Sequence, residues 1–242
     1  MKSYLSGTQT MKILKAPLWI IPAILFVLTL TTSSQAQLSV GLRGGVNFAH
    51  FGSGDPVLNY KPKTAPGFAS LFHYAVSPSF SFQVEPGYAQ WSAQIAETQT
   101  APNYIREYAY SIFLNYAEVP VLFQYKPNFG KLQAIFSLGP EARFLAKPMK
   151  AKTKIIQYYN GQVTDQLDRT DRYTGDFGVR KFDIGLMAGI GIAYPAGPFK
   201  IIAEGRYHYG FTDIYGNLTG SSSSVYIRGI SAHAGLLYPI GK

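Results

Sequence analysis

Eight ionisable side chains of both signs recur inside segments of alternating apolar and polar residues: Arg43, Glu85, Glu118, Glu141, Arg143, Asp183, Glu204 and Arg206. Each stands on the polar side of a period-two pattern, so a folded sheet brings all of them to one face. Gathered there, they could pass protons or ions, or pair with one another as a structural plug; pairing is the expected role. Of His50, His73, His208 and His233, the last two share that face, and Ser231 lies two residues from His233. A hydroxyl beside an imidazole is what acyl transfer needs. No active-site motif accompanies the pair, so a hydrogen-bonded interior histidine is expected and no catalytic residue is assigned. Gly185, Gly189 and Gly191 are followed by more strand, whereas a nucleotide-binding glycine loop needs a helix directly after it. Asp165, Asp168, Asp171 and Asp176 lack the alternating-oxygen spacing of a calcium loop, and Arg169 and Arg172 stand among them. No metal and no cofactor are expected. The chain has no cysteine, which removes disulfides and thiolate chemistry together.

The elements that must position these residues are strands with an oily face. Of the 242 residues, 47% are hydrophobic and only 14% charged, against about 25% charged in ordinary soluble domains. Tyr (18), Phe (16) and Gly (24) are abundant, which suits sheets facing something other than water. Residues 1–36 read as a cleaved secretory signal. Lys12 and Lys15 precede an apolar run from Ala16 to Leu30, and Ser34-Gln35-Ala36 supplies the small residues of a cleavage site. Met11 is a second possible start. An uncleaved anchor is the alternative, but the run is short for a spanning helix. The domain 37–242 holds no stretch of roughly 20 apolar residues, so it is either soluble or a membrane β-barrel. Without Lys2, Lys12 and Lys15, 19 basic residues face 13 acidic ones. They are dispersed and no basic helix exists, which excludes a nucleic-acid partner. An anionic glycolipid surface would attract such a balance equally well.

Strands are predicted at 38–48, 66–76, 79–92, 110–126, 131–146, 181–195, 198–212 and 225–239. Tight turns at Ser77-Pro78, Pro127–Gly130 and Ala196-Gly197 alternate with longer connections at 49–65, 93–109, 147–180 and 213–224. Short turns on one rim and long loops on the other are the layout of an outer-membrane barrel with both termini in the periplasm. Asn160-Gly161, between β-prone runs, predicts a type I′ hairpin projecting from the longest loop.

Alternation separates the faces. Phe80, Phe82, Val84 and Tyr88 oppose Ser81, Gln83, Glu85 and Gly87; Phe136, Leu138 and Phe144 oppose Ser137, Gly139, Glu141 and Arg143. Phe182, Ile184, Leu186, Ile190, Ile192 and Tyr194 oppose Asp183 and the glycines, and Ile201, Ala203, Tyr207, Tyr209 and Phe211 oppose Glu204, Arg206 and His208. Charges cannot face lipid, where an Arg or Lys costs roughly 2–4 kcal/mol at mid-membrane. They are therefore inward, with the bulky aromatics outward, the reverse of a soluble ligand-binding barrel. Tyr74, Tyr88, Tyr125, Tyr194 and Tyr238 fall near strand ends, where interfacial girdles occur.

GLRGGVNFAHF (41–51), NYAEVPVLFQYKP (115–127), FDIGLMAGIGIAY (182–194) and EGRYHYGFTDI (204–214) resemble segments of the small outer-membrane β-barrel family widespread in Bacteroidetes-type bacteria, sometimes called porin-family or PorT-like proteins. The resemblance covers essentially all of 38–239. It implies an all-β, eight-stranded antiparallel up-and-down transmembrane barrel of the OmpA or OmpX type, and implies little about activity. Many such proteins end on an aromatic assembly signal; this chain ends Tyr238-Pro239-Ile240-Gly241-Lys242, with Tyr238 as the substitute.

The expected function is that of a non-catalytic, monomeric barrel that anchors in the outer membrane and presents extracellular loops for binding or envelope integrity. Loop 147–180 carries the binding candidates Lys150, Lys152, Lys154, Tyr158, Tyr159, Arg169 and Arg172. Its expected partners are outer-membrane lipid and glycolipid, and an envelope protein. Three other readings stay open: an accessory subunit of an envelope secretion machine, a narrow gated solute channel, and an outer-membrane lipid enzyme.

Overall fold

Period-two alternation builds antiparallel strands along almost the whole domain. The computed structural model describes residues 37–53, 61–173, 179–214 and 224–240, so the expected leader 1–36, Asp176 and the final two residues lie outside the described residues. The side chain of His50 does too. The strands are β1 (Gln37–Ser53), β2 (Lys61–Ala75), β3 (Phe80–Val84), β4 (Gly87–Ala101), β5 (Tyr104–Tyr125), β6 (Asn128–Phe129), β7 (Leu132–Tyr159), β8 (Gln162–Tyr173), β9 (Phe182–Ala196), β10 (Phe199–Asp213) and β11 (Val225–Ile240). β3 and β4 are two halves of one barrel strand. The ladder breaks at Glu85-Pro86, where proline has no N–H to contribute. β6 belongs to the turn between β5 and β7.

Eight staves result, each antiparallel to the next, and β11 pairs back onto β1 from Leu38↔Ile240 to Ser53↔Val225. The sheet is a closed barrel. Its stagger follows from the register: Leu38, Tyr74, Phe82, Phe123, Leu138, Ala188, Tyr207, Ile230 and Phe48 are successive cross-strand partners. One circuit thus returns to β1 ten positions beyond its start. Such a stagger requires strands tilted by about 35–45° and leaves a lumen that side chains fill.

The faces divide as the alternation predicts. Leu42, Phe68, Phe82, Leu138, Ile190, Tyr207 and Ile230 are all exposed on the outer wall. Soluble monomers rarely expose a continuous apolar surface beyond a few hundred Å², so this wall is suited to lipid. Aromatic contacts gather toward its two margins: Phe80–Tyr125, Tyr125–Phe136 and Phe199–Tyr238 by the tight turns, Phe68–Tyr88, Phe144–Phe182 and Tyr209–Phe211 at the other end.

The segment 93–109, expected as a loop, is strand, and the hairpin expected within 147–180 is present. Beyond the outer aromatics β4 continues to Ala101 and returns through Asn103 (φ 64°) as β5, while β7 continues to Tyr159 and returns as β8. Asn160 (φ 51°) and Gly161 (φ 78°) make the left-handed pair that a type I′ turn requires. The outer ends of β4, β5, β7 and β8 form a four-stranded sheet continuous with the barrel wall, with β8 as its edge. Both faces of this sheet mix polar residues with apolar ones such as Ile105, Tyr159, Val163 and Leu167, so the sequence there loses the one-sided apolar amplitude that marks a strand. Likewise 49–53 and 61–65 extend β1 and β2 rather than forming loop.

Inward glycines make room for large charged neighbours. A Cβ on Gly189 would lie 2.5 Å from Ser137 Oγ and 2.9 Å from Arg206 Cγ, whereas one on the outward Gly205 would meet nothing within 4 Å. Gly189→Val is expected to lower stability in urea unfolding from lipid by about 1–3 kcal/mol, and Gly205→Ala to change it by less than about 0.5 kcal/mol. Equal effects would contradict the filled interior.

Candidate functional site

Inside a closed barrel each inward carboxylate or guanidinium must find its partner on another wall. Glu85, at the break between β3 and β4, is the hub. It accepts from Arg43 Nε at 2.6 Å, from Arg206 Nη1 and Nη2 at 2.6 and 2.7 Å, and from Gln83 Nε2 at 2.5 Å. The two Arg206 bonds go to different oxygens, the bidentate fork that makes guanidinium–carboxylate pairs strong. Arg206 also donates to Glu204 Oε2 at 2.6 Å, and Glu204 Oε1 accepts from Ser137 Oγ at 3.3 Å. Arg43 Nη2 stands 3.5 Å from Glu118 Oε1. Arg143 Nη2 lies 3.2 Å from Glu141 Oε1 and 3.1 Å from Asp183 Oδ2. All eight side chains singled out from the sequence are at most 5% exposed, and they form two clusters, one on Glu85 and one on Arg143.

The imidazoles complete the clusters. Arg43 Nη1 is 2.8 Å from His233 Nδ1. A guanidinium has no acceptor, so this imidazole nitrogen accepts and His233 is the neutral Nε2–H tautomer. His208 Nδ1 meets Glu141 Oε2 at 2.9 Å and its Nε2 meets Ser231 Oγ at 2.7 Å. The hydroxyl thus belongs to His208, not to His233 as the sequence spacing suggested. Residues i and i+2 of a strand are almost 7 Å apart along the chain, while the neighbouring strand offers a closer partner.

Ser231, His208 and Glu141 have the connectivity of a nucleophile, base and orienting acid. They are nonetheless sealed: none is more than 2% exposed, Trp91 stands edge-on against the imidazole at 4.8 Å, and Arg143 lies over Trp91 at 5.7 Å. A scissile carbonyl has no place beside Ser231, so the arrangement orients His208 and ties β10, β11 and β7 together.

Above and below, the lumen is closed by packing. Trp91, Ile112, Leu114, Tyr116, Met149, Ile214 and Ile227 form an apolar layer on the side of the projecting sheet. Trp91 and Tyr116 thus face inward at this level, against the expectation that bulky aromatics face outward. Toward the tight turns, Leu71, Ile135, Ala193, Ile202 and Leu237 form a second apolar cluster. Beside it Lys126 Nζ bonds His73 Nε2, a pair the sequence reading did not single out although Lys126 continues the inward parity of Gln124. The cavity there, lined by His73, Gln124, Lys126 and Glu204, has about 20 Å³, room for roughly one water.

The seven loop residues fall on the two faces of the projecting sheet. Lys150, Lys152, Lys154, Tyr158 and Arg172 lie on the face continuous with the outer wall; Tyr159 and Arg169 lie on the other. Lys152 pairs with Asp168 at 3.1 Å and Arg169 with Asp171 at 2.8 Å, both exposed and individually worth little.

With closure, apolar wall and ion-paired lumen established, the comparison with known families is decisive. Residues 33–216 match the outer membrane protein beta-barrel domain. The chain belongs to this family. Its location is the outer membrane. No curated protein matches the sequence. Among solved structures, OprG of Pseudomonas aeruginosa is similar at 11% identity over 86% of this chain and 97% of that one, with a TM-score of 0.48. Neisserial surface protein A is similar at 13% identity over 83% and 96%, TM-score 0.43. Ail of Yersinia pestis is similar at 14% identity over 86% and 100%, TM-score 0.41.

Truncating Arg206 would leave Glu85 and Glu204 buried without their main partner. Arg206→Ala is expected to cost about 3–5 kcal/mol in urea unfolding from lipid; a loss below about 1 kcal/mol would contradict the hub.

Proposed function

We propose that this outer-membrane barrel is a non-catalytic, non-conducting anchor that holds a four-stranded β-sheet outside the cell as a docking surface. The observation that carries this reading is the contrast between the two parts of the same staves. Within the membrane the inward charges are buried and the lumen is closed by an apolar layer; beyond it β8 runs for twelve residues as an edge with one neighbour among the described residues. A long edge is a liability unless charged or covered, and Asp165, Asp168, Arg169, Asp171 and Arg172 charge this one. The described ends, Gln37 and Ile240, stand on the rim of the tight turns, which faces the periplasm, and the leader 1–36 directs export of the chain before its removal. The narrower likeness to Bacteroidetes-type porin-family barrels, carried by Asn115–Pro127 and Glu204–Ile214, supports the same small-barrel reading.

Two measurements test it. An epitope inserted between Asn160 and Gly161 is expected to bind antibody on intact cells. Purified protein in planar bilayers is expected to give no discrete conductance steps. Labelling that requires permeabilised cells would overturn the orientation, and unitary currents would overturn the sealed lumen.

A further inference from the structure

Among the described residues β8 has one neighbour, β7, so its other side offers backbone N–H and C=O groups to a further strand. Its charges select that strand. Leu167-Asp168-Arg169-Thr170-Asp171-Arg172-Tyr173 is its own complement about Thr170. Two identical edge strands related by a two-fold axis lie antiparallel with their faces preserved, so residues that meet differ by an even number of positions. Centred on Thr170, Asp168 meets Arg172, Arg169 meets Asp171 and Leu167 meets Tyr173, each twice. Every charge in the segment then faces its opposite.

Other centres fail. Asp168, Arg169, Asp171 or Arg172 at the axis would meet its own copy, like charge against like. Leu167 at the axis matches Asp165 with Arg169 but sets Asp168, Asp171 and Arg172 against Gln166, Val163 and Gln162.

Within the chain β7 serves these charges incompletely. Arg172 lies directly opposite Lys150, and among the described residues no carboxylate pairs with it. Like charges in register destabilise a ladder, and Asp168 of a second copy would relieve this pair. On the other face Arg169 donates to Asp171 at 2.8 Å. A second copy adds the same pair inverted, so each guanidinium stands between two carboxylates. Leu167 and Tyr173, 44% and 40% exposed, would cover one another at the ends of the match.

The symmetry also fixes where the second copy sits. The projecting sheet continues the barrel wall and stands up from the membrane, so a two-fold axis perpendicular to it lies in the membrane plane. Such an axis inverts the membrane normal, and the second barrel belongs to a facing membrane. Phe68, Tyr88, Ala117, Phe144 and Phe182 form the outward cross-strand row at the end of the apolar wall, and Thr170 lies opposite Lys152. From Phe144 to Lys152 is about 26 Å along the strand and about 20 Å in height at a tilt of ~40°. Two copies joined at Thr170 would hold their apolar walls about 40 Å apart.

We infer that β8 pairs antiparallel, centred on Thr170, with β8 of a second copy in a facing membrane, a homotypic bridge between two outer membranes. The inference rests on the docking-surface reading above.

The test uses the full-length barrel in phosphatidylcholine vesicles of two dye colours, with docking read by fluorescence cross-correlation. Wild-type vesicles are expected to dock. Asp168→Arg with Asp171→Arg makes the charges of the segment wholly basic, and Arg169→Asp with Arg172→Asp makes them wholly acidic. Docking of either variant with itself should fall more than about tenfold. Mixing the two variants restores every opposite pair and should restore docking, which a merely structural effect would not do. A heat-dependent gel shift like that of the wild type checks that each variant is folded. The chain has no cysteine, so Thr170→Cys should be joined to its own copy by a short bismaleimide, and Asp165→Cys should not. No wild-type docking, undiminished docking of either variant with itself, failure of the mixture, or crosslinking at Asp165→Cys and not at Thr170→Cys overturns the pairing. Labelling of Asn160-Gly161 on intact cells combined with no docking would remove this partner alone and leave the docking-surface reading standing.

Discussion

Closure of the sheet by pairing β1 with β11 is the constraint on which the rest of the structure depends. In hydrocarbon an unpaired backbone N–H or C=O has no water to turn to, so a sheet survives there only without edges. Eight staves meeting after a ten-residue stagger satisfy this, and they leave a lumen as narrow as its own side chains. Inward side chains must then be paired, small, or apolar and closely packed. Glu85 collects two guanidiniums because its strand is broken beside it, and Gly189 yields its volume to Arg206.

Outside the membrane the constraint relaxes, and the same strands change character. β4, β5 and β7 continue with polar and apolar residues mixed on both faces, and among the described residues β8 stands as an edge whose backbone groups water can serve. The outer wall changes in step, from Phe80, Phe82 and Tyr88 to Gln90 and Gln94 along one strand and from Phe144 to Lys150 and Lys152 along another. A barrel of this size thus divides its roles by height: ion pairs and apolar packing for the sealed interior, apolar side chains for the lipid, polar sheet for what lies beyond.

Much of this was legible in the residue order. Eight staves, their inward and outward faces, the three tight turns and the Asn160-Gly161 hairpin follow from alternation and turn chemistry. Contacts that depend on register were not legible. The sequence places Ser231 near His233, but the β10–β11 ladder gives the hydroxyl to His208. The apolar cap was missed because Trp91 and Ile112 sit where the alternation runs into polar residues on the outer side. The extension of β4 and β5 through 93–109 was missed because mixed faces give no one-sided apolar period, whereas the ribbon of β7 and β8 was signalled by Asn160-Gly161.

The claim from which the others descend is that this chain is a closed barrel in the outer membrane. The most direct measurement is the mobility of the protein in purified outer membranes on an SDS gel, unheated against boiled. A closed barrel resists SDS in the cold, so the account predicts a band in that fraction whose position shifts on boiling. A protein recovered from the soluble periplasmic fraction, with one mobility heated or not, would contradict it.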